Sequence, residues 1–503
     1  MRYESPNFEL YSANRDGESR ELLHNLELLR ALFLDTFKLK ERQPLPVTAY
    51  FFHREKDFHA YVSEGQRRTE NLVGYYIGGP DRAIVTLSPT WDDESARYVI
   101  FDEYIHHLVH TCGAAPPIWY DVGVAELFSS INVTADKMEL GKPLAGHVVC
   151  LRANHLLPLE TLFDVDRVSS VYNNGMLTEL FRAESWALMH YLYYGRTDLA
   201  RDKVDVFMNY ILTEGPHPDP ARRRRLFQET IGMDYPQMQE ELERYVLRGR
   251  YVWHSIVAPS VPPEKTYSVR KMPLGEIRER LAELDLRVNQ SPLARLELLN
   301  DIGGAPADPR PLEVLGTDAW MQRDQGMMKQ RWLGALEAGS QNAAIYWELA
   351  RLEGAGLYEY FDVYFQLPED RAQLLRRLLK RTMTSAPELA EAYELSAWVE
   401  ATAARPDIAA INLVQGRFST LPHKARTLLA LALVRYRLDD SAGALALLRE
   451  MGKLNPDRLV ARRAELLRAQ LEGRPHVSAA GVGEGRVPII TPAPMPDLPD
   501  PRR

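Results

Sequence analysis

The chain has 503 residues, a formal net charge of −8, 45% hydrophobic and 26% charged residues, and two cysteines. That length is too great for one core and implies roughly two to four domains, while the acidic balance excludes bulk nucleic-acid binding, which needs a basic surface. Cys112 and Cys150 are too few for a disulfide scaffold, with one bridge between them left open, and no apolar run reaches the ~20 residues of a bilayer span.

Residues 1–90 read as mixed α/β. Phe8–Ser12 alternates as a strand does, and residues 18–39 place Leu22, Leu23, Leu26, Leu29 and Phe33 at helical spacing. Residues 47–53 form an apolar strand bounded by Pro44 and Pro46. Residues 73–77 and 83–87 flank the turn-rich Gly78-Gly79-Pro80-Asp81, which predicts a hairpin. A long helix follows over residues 93–111, capped by Asp92 or Asp93. Residues 131–258 are mostly helical, and 185–194 are apolar on nearly every side and hence buried. The basic run 222–225 suits a solvated helix face better than a phosphate site. PSVPPEK at 259–265 is the expected linker.

The last third looks repetitive. One helix pair runs from Ala386-Pro387-Glu388 to Leu421-Pro422 and the next from Pro422 to Asn455-Pro456; the prolines lie 35 and 34 residues apart, close to the tetratricopeptide period of ~34. Ala397 and Ala432 fall at matching small positions, and 311–386 reads as irregular versions of the unit, with Trp320 and Trp347 on helix faces. Residues 479–503 are rich in Pro, Gly and Ala and are expected to be disordered, and no strand or helix pattern flanks Gly481-Val482-Gly483-Glu484-Gly485 to make it a phosphate loop.

The chemistry concentrates in residues 96–130, ARYVIFDEYIHHLVHTCGAAPPIWYDVGVAELFSS. In an H-E-x-x-H helix two histidines at i and i+4 bind zinc from one face, and the Glu polarises the attacking water. Here Asp102 takes the first ligand position while Glu103 and His106 stand. Asp102, His106 and His110 follow at i, i+4 and i+8, along one helix face. Asp102 and His106 can share a metal, since carboxylates are zinc ligands. His110 lies two turns from Asp102 and reads as an ordinary polar residue. His107 points ~100° away from His106 and reads as structural.

The stretch resembles the gluzincin branch of the MA clan of peptidases, most closely bacterial DUF1570-like proteins that often carry tetratricopeptide repeats. Those families write W-L-x-E-G-x-A-E after P-P-x-W and take the third ligand from the first Glu. This chain reads Trp119-Tyr120-Asp121-Val122-Gly123-Val124-Ala125-Glu126, with Val122 at the ligand position. Ser5-Pro6-Asn7-Phe8-Glu9-Leu10-Tyr11 and Pro46-Val47-Thr48-Ala49-Tyr50-Phe51-Phe52 are similar to the family's opening strands, and Asn71-Leu72-Val73-Gly74-Tyr75-Tyr76 to its v-x-G-f-Y strand. Phe181-Arg182-Ala183-Glu184-Ser185-Trp186-Ala187-Leu188-Met189-His190-Tyr191-Leu192 is similar to its F-Y-A-x-S-W-A-L-V-H-Y-L helix. About half the chain is covered.

The resemblance implies an α+β fold: a thermolysin-like metallopeptidase-type domain over 1–258, with a sheet part at 1–90 and a helical part at 91–258. A linker with connecting helices follows at 259–310, then an all-α tetratricopeptide-like domain at 311–473 and a tail at 474–503. In such enzymes the sheet lies over the cleft, and its edge strand holds peptide by strand addition. Glu103 would be the general base with a metal bound. Without one, its place is that of a buried Glu bonded to backbone or to His106. For a third ligand, Asp121 is turned ~100° from Val122, and Glu126 lies one turn on, on about the right face. Trp119 and Pro117 are expected to pack the second helix against the first. Tyr172, His190 and Tyr191 lie within reach of a cleft as oxyanion stabilisers, though core packing is the favoured use.

Three readings follow. The first is a degenerate peptidase with weakly bound zinc or none, which keeps its cleft for peptide or protein and recruits a partner through its repeats. The second is an active zinc peptidase with rearranged ligands, Asp102 and His106 with Glu126 or a residue outside the motif. The third is a repeat scaffold on a structural N-terminal domain. The start, MRYESPNFEL, carries no signal-peptide pattern; the compartment is cytoplasmic as the sequence stands, or periplasmic or secreted if a leader has been removed.

Overall fold

The apolar stretches at the start of the chain become one sheet. In a computed structural model, which describes residues 1–63, 72–89, 94–112, 116–134, 137–196, 199–302, 308–358 and 365–473, the strands are β1 (Arg2–Glu4), β2 (Phe8–Ser12), β3 (Val47–Phe51), β4 (Gly74–Ile77) and β5 (Ala83–Leu87). Strands β2, β3 and β5 run parallel, β4 forms the expected antiparallel hairpin with β5, and with a sixth strand, β9 (Ser268–Arg270), the order is β4-β5-β3-β2-β1-β9. Helix α1 (Asp16–Phe37) puts Leu22, Leu23, Leu26, Leu29 and Phe33 into the core, as its spacing predicts. A short α2 (Glu55–Ala60) follows β3.

The helical part of this unit is built from α3 (Glu94–Cys112), α4 (Ile118–Ser129), α5 (Ala145–Ala153), α6 (Leu159–Phe163), α7 (Ser170–Asn173) and α8 (Gly175–His190). Residues 180–192 are buried except Arg182, and α8 ends in a π-helical turn, Tyr191–Gly195. Then come α9 (Arg201–Glu214), α10 (Pro220–Ile231) and α11 (Tyr235–Arg248). A small sheet joins β6 (Asn132–Thr134), β7 (Lys137–Leu140) and β8 (His254–Val257). On α10, Arg222 and Arg224 have the solvated character expected of the basic run. Arg223 turns inward and donates to the Phe163 carbonyl, the Tyr235 hydroxyl and Asp164.

Over 259–310, where a linker with connecting helices is expected, the structure holds a strand and two helices. Strand β9 (Ser268–Arg270) pairs with β1, Arg2 opposite Arg270, and α12 (Leu274–Asn289) accepts the Tyr50 hydroxyl on the Arg280 carbonyl at 2.9 Å. Prolines at 259–263 therefore mark a surface crossing, and the first unit, Met1–Glu41 with Leu45–Glu297, runs on past 258. The prolines of 259–265 suggest a boundary, and nothing local in the sequence signals a three-residue strand. Cys112 and Cys150 are both free. Among the described residues no helix is long and apolar enough to cross a membrane.

The second unit, Arg42–Pro44 with Leu298–Arg503, is helical from α13 (Pro292–Ile302), within which the boundary falls, onward. Its helices are α14 (Arg310–Met321), α15 (Gln325–Glu337), α16 (Ala343–Glu353), α17 (Glu369–Ser385), α18 (Ala390–Thr402), α19 (Ile408–Arg417), α20 (Lys424–Arg437), α21 (Ser441–Gly452) and α22 (Arg458–Leu471). Helices α18, α20 and α22 start 34 residues apart, since 424 − 390 and 458 − 424 are both 34. That spacing aligns the buried small residues Ser396, Ala430 and Ala464, so Ala397 and Ala432, both buried, sit one residue out of register. The tail, with Gly481 to Gly485, lies outside the described residues, as do Asn71, Asp92 and Asp93.

Helices α14 and α15 meet through Trp332, fully buried, whose Nε1 donates to the Glu313 carbonyl at 3.1 Å. A Cβ on Gly316 would stand 2.2 Å from the Trp332 ring. Gly316→Ala is therefore expected to destabilise the second unit by about 1–3 kcal/mol, the usual cost of overpacking, read as a lower urea midpoint at unchanged slope.

Candidate functional site

Three helices bring the site together. Asp102, Glu103, His106 and His110 come from α3, Asp121, Val122 and Glu126 from α4, and Arg182 from α8. Gly123 sets the crossing of α4 and α8: a Cβ there would stand 2.7 Å from the Ser185 carbonyl oxygen and from Met189 Cγ. Only glycine admits the approach that sets Arg182 beside the other two helices.

Arg182 Nη2 donates to Asp102 Oδ2 at 3.1 Å and stands 2.5 Å from Glu126 Oε1. Glu126 is wholly buried, and its Oε2 takes the Tyr98 hydroxyl and lies 2.9 Å from His147 Nε2. Burial opposes the charge of Glu126, but His147, Arg182 and Tyr98 outweigh it and hold the carboxyl below its ordinary range. Burial has the upper hand at Asp102 and raises its carboxyl against the pull of His106 and Arg182.

A second group adjoins the first. Asp121 spans two histidines, with Oδ1 2.8 Å from His106 Nδ1 and Oδ2 3.1 Å from His110 Nε2. His106 Nε2 stands 3.9 Å from Asp102 Oδ2, so His106 links the two groups. Burial disfavours the charged His106, yet Asp121, with Asp102 and Glu103 adding, pushes it up to about 9. Asp121 is held far below the ordinary carboxylate range, since its two histidines outweigh its burial. Burial raises Glu103; His106 and Arg182 pull it back, while Asp102 and Asp121 push it further. Glu103 makes no hydrogen bond or ion pair among the described residues.

This pair has a pH signature. A histidine raised from 6.5 to about 9 contributes stability that is fully present below pH ~6.5 and is lost as pH rises through about 9. Asp121, depressed, contributes above its ordinary 3.8, and that is lost on acidification. Asp121→Asn should return His106 toward its ordinary value and flatten the alkaline limb, followed by NMR titration of the ring Cε1–H alongside thermal melts from pH 6 to 10.

The remaining sequence candidates fall into packing roles. Val122 is buried. Trp119 is buried with its ring 4.7 Å from that of Phe163 on α6. His107 takes the Tyr76 hydroxyl on Nδ1 at 2.8 Å, and burial, with the charges of His110 and Arg30, lowers it to about 3. Tyr172 is half-buried, edge-on to Phe181. His190 is wholly buried: Nε2 donates to the Gly141 carbonyl at 2.7 Å, Nδ1 takes the Tyr245 hydroxyl at 2.7 Å, and burial lowers the ring to about 4. Its nitrogens are spent inside the fold and leave none for a cleft. Tyr191 packs on Tyr245.

Sequence reasoning passed over Arg182, His147 and Tyr98. The one available signal was Arg182, which stands where the helix that this segment resembles writes Tyr. Asp121 was weighed only as a metal donor; its neighbours on α3 make it a histidine partner instead. Beyond His110 and Asp121 the site opens on a cavity of about 340 Å³ bounded also by Ile118, Val165, Arg167 and His217. Among the described residues no group of three or more His, Cys, Asp or Glu is arranged to hold a metal ion. No family model and no curated protein matches the chain.

Proposed function

We propose that the first unit is a thermolysin-like, gluzincin-type peptidase frame in which an arginine has taken over the charge of the catalytic zinc. The chain is then a pseudopeptidase that binds peptide or protein without cleaving it, and the second unit is a tetratricopeptide-like array that recruits a protein partner. The observation that carries this is Arg182, whose guanidinium sits against Asp102 and Glu126 beside His106.

The donor set supports it. A catalytic zinc takes three protein ligands and an open position, and the family's scheme would draw them from 102, 106 and 122. Position 122 offers an isopropyl group. Asp102 is already bonded to a fixed cation, and a second cation there would meet the guanidinium at close range. These side chains do not fit a catalytic zinc. With no metal to lower the pKa of a bound water, Glu103 has no activated nucleophile to work with. In the second unit, the 34-residue recurrence of helix starts supports the repeat reading.

Elemental analysis by mass spectrometry tests the proposal. Chain purified without added metal should carry zinc well below one equivalent and show no peptidase activity that Glu103→Gln removes. One tightly held equivalent, lost on His106→Ala, would overturn it in favour of an active site built on Asp102, His106 and Glu126.

A further inference from the structure

We propose that the cavity beside His110 receives the free C-terminal residue of a peptide, its carboxylate facing Arg167 and its side chain lying on Ile118, Val165 and Val168. This rests on the peptide-binding reading above and names the end of the peptide that is recognised. At about 340 Å³ the cavity falls in the ~300–1,000 Å³ range of small-ligand sites.

Its charges are unevenly committed. Asp121 is engaged by His106 and His110. Asp166 accepts the Val168 amide on Oδ1 at 3.0 Å, which leaves Oδ2 as an acceptor. Arg167 and His217, both exposed, make no side-chain hydrogen bond or ion pair among the described residues. A guanidinium presents parallel N–H donors that match the two oxygens of a carboxylate. A peptide C-terminus carries that carboxylate with an N–H on the same residue, the complement of Arg167 beside Asp166.

The apolar wall decides between a peptide end and a bare anion. Val168 is 85% exposed although it borders the cavity, and an inorganic ion would leave it and Ile118 uncovered. An aliphatic C-terminal side chain covers both, with a gain of ~25 cal/mol per Å² of apolar surface removed from water. The loop that presents Arg167 is already pinned: Asn173 Nδ2 donates to the Arg167 carbonyl at 2.8 Å, and Ser169 Oγ donates to the Asp166 carbonyl at 2.8 Å. The ordering left to oppose binding is then that of the Arg167 side chain, not of the loop backbone.

The test is isothermal titration of the full-length chain with acetyl-Ala-Ala-Ala-Leu as free acid and as carboxamide. The free acid should bind about tenfold tighter or more, the worth of one charge-assisted hydrogen-bonded pair. Arg167→Ala should erase that advantage and Arg167→Lys should restore part of it. Arg167 is exposed, so its replacement leaves the fold intact, and thermal melts verify this. Equal affinity for the two forms overturns the pocket while leaving a peptide cleft elsewhere in place. Binding of neither at millimolar concentration overturns the pocket and the peptide reading together.

Discussion

The triple variant Asp102→His, Val122→Glu, Arg182→Tyr should hold one tight equivalent of zinc where the native chain holds almost none. Helices α3 and α4 already stand together, with Gly123 keeping α8 against them, so on the proposed frame the three ligands need no new backbone. The motif alone asks for two changes, at 102 and 122. The structure adds the third, because Arg182 bonds to Asp102 and Glu126 and its charge would oppose a dication. The double variant that keeps Arg182 should therefore bind zinc far more weakly than the triple, and this ordering separates a charge-for-charge replacement from the simple loss of ligands. Zinc binding to the triple variant would also raise its melting temperature in step with free zinc. If the triple variant binds nothing, α3 and α4 are not aligned on the peptidase frame.

Arg182→Leu should destabilise the first unit by about 1–3 kcal/mol, below the range for a fully buried ion pair because the Arg182 side chain is about a third exposed. Glu126 is wholly buried, so its carboxylate would be left with His147 and Tyr98, and Asp102 would lose its bond to the guanidinium. The companion change Glu126→Gln should recover the greater part, because a neutral amide has no charge left to compensate. The pH response has a sign. Glu126 is held below its ordinary 4.5, so its contribution is present above that value and lost on acidification. Arg182→Leu should weaken that acid-side dependence. Chemical denaturation of the four chains in a double-mutant cycle gives the coupling directly; a coupling near zero would show that Arg182 fills no charge-balancing role.

How far the sequence reached depended on the range of the signal. Helix α1 and the β4–β5 hairpin were legible because leucine spacing and Gly-Gly-Pro-Asp act locally. The 34-residue recurrence was legible from prolines between helices, although the register of the small residues came out one position off. The tie of residues 268–270 to the first sheet was not legible, because β9 is three residues long and means nothing until it meets β1. At the site, the motif frame located α3 and α4 but said nothing of what stands between them. Arg182 lies 80 residues from Asp102, and no periodicity links the two. Asp121 was turned from the expected ligand direction, and that same turn is what lets it span His106 and His110.

The pairing of β1 with β9 bears on how the chain is made. Arg2 and Arg270 are partners in one sheet, so the edge of that sheet cannot close until nearly the whole first unit has left the ribosome. Contacts of that sequence separation are slow to form, and β1 has an open edge until they do. The second unit has no such constraint, since each helix packs mainly on its near neighbours in sequence and folding can spread from any point. During synthesis the first 270 residues are therefore the vulnerable part, the stretch in which a chaperone or an aggregation partner finds an unpaired strand. The helices that follow fold as they emerge.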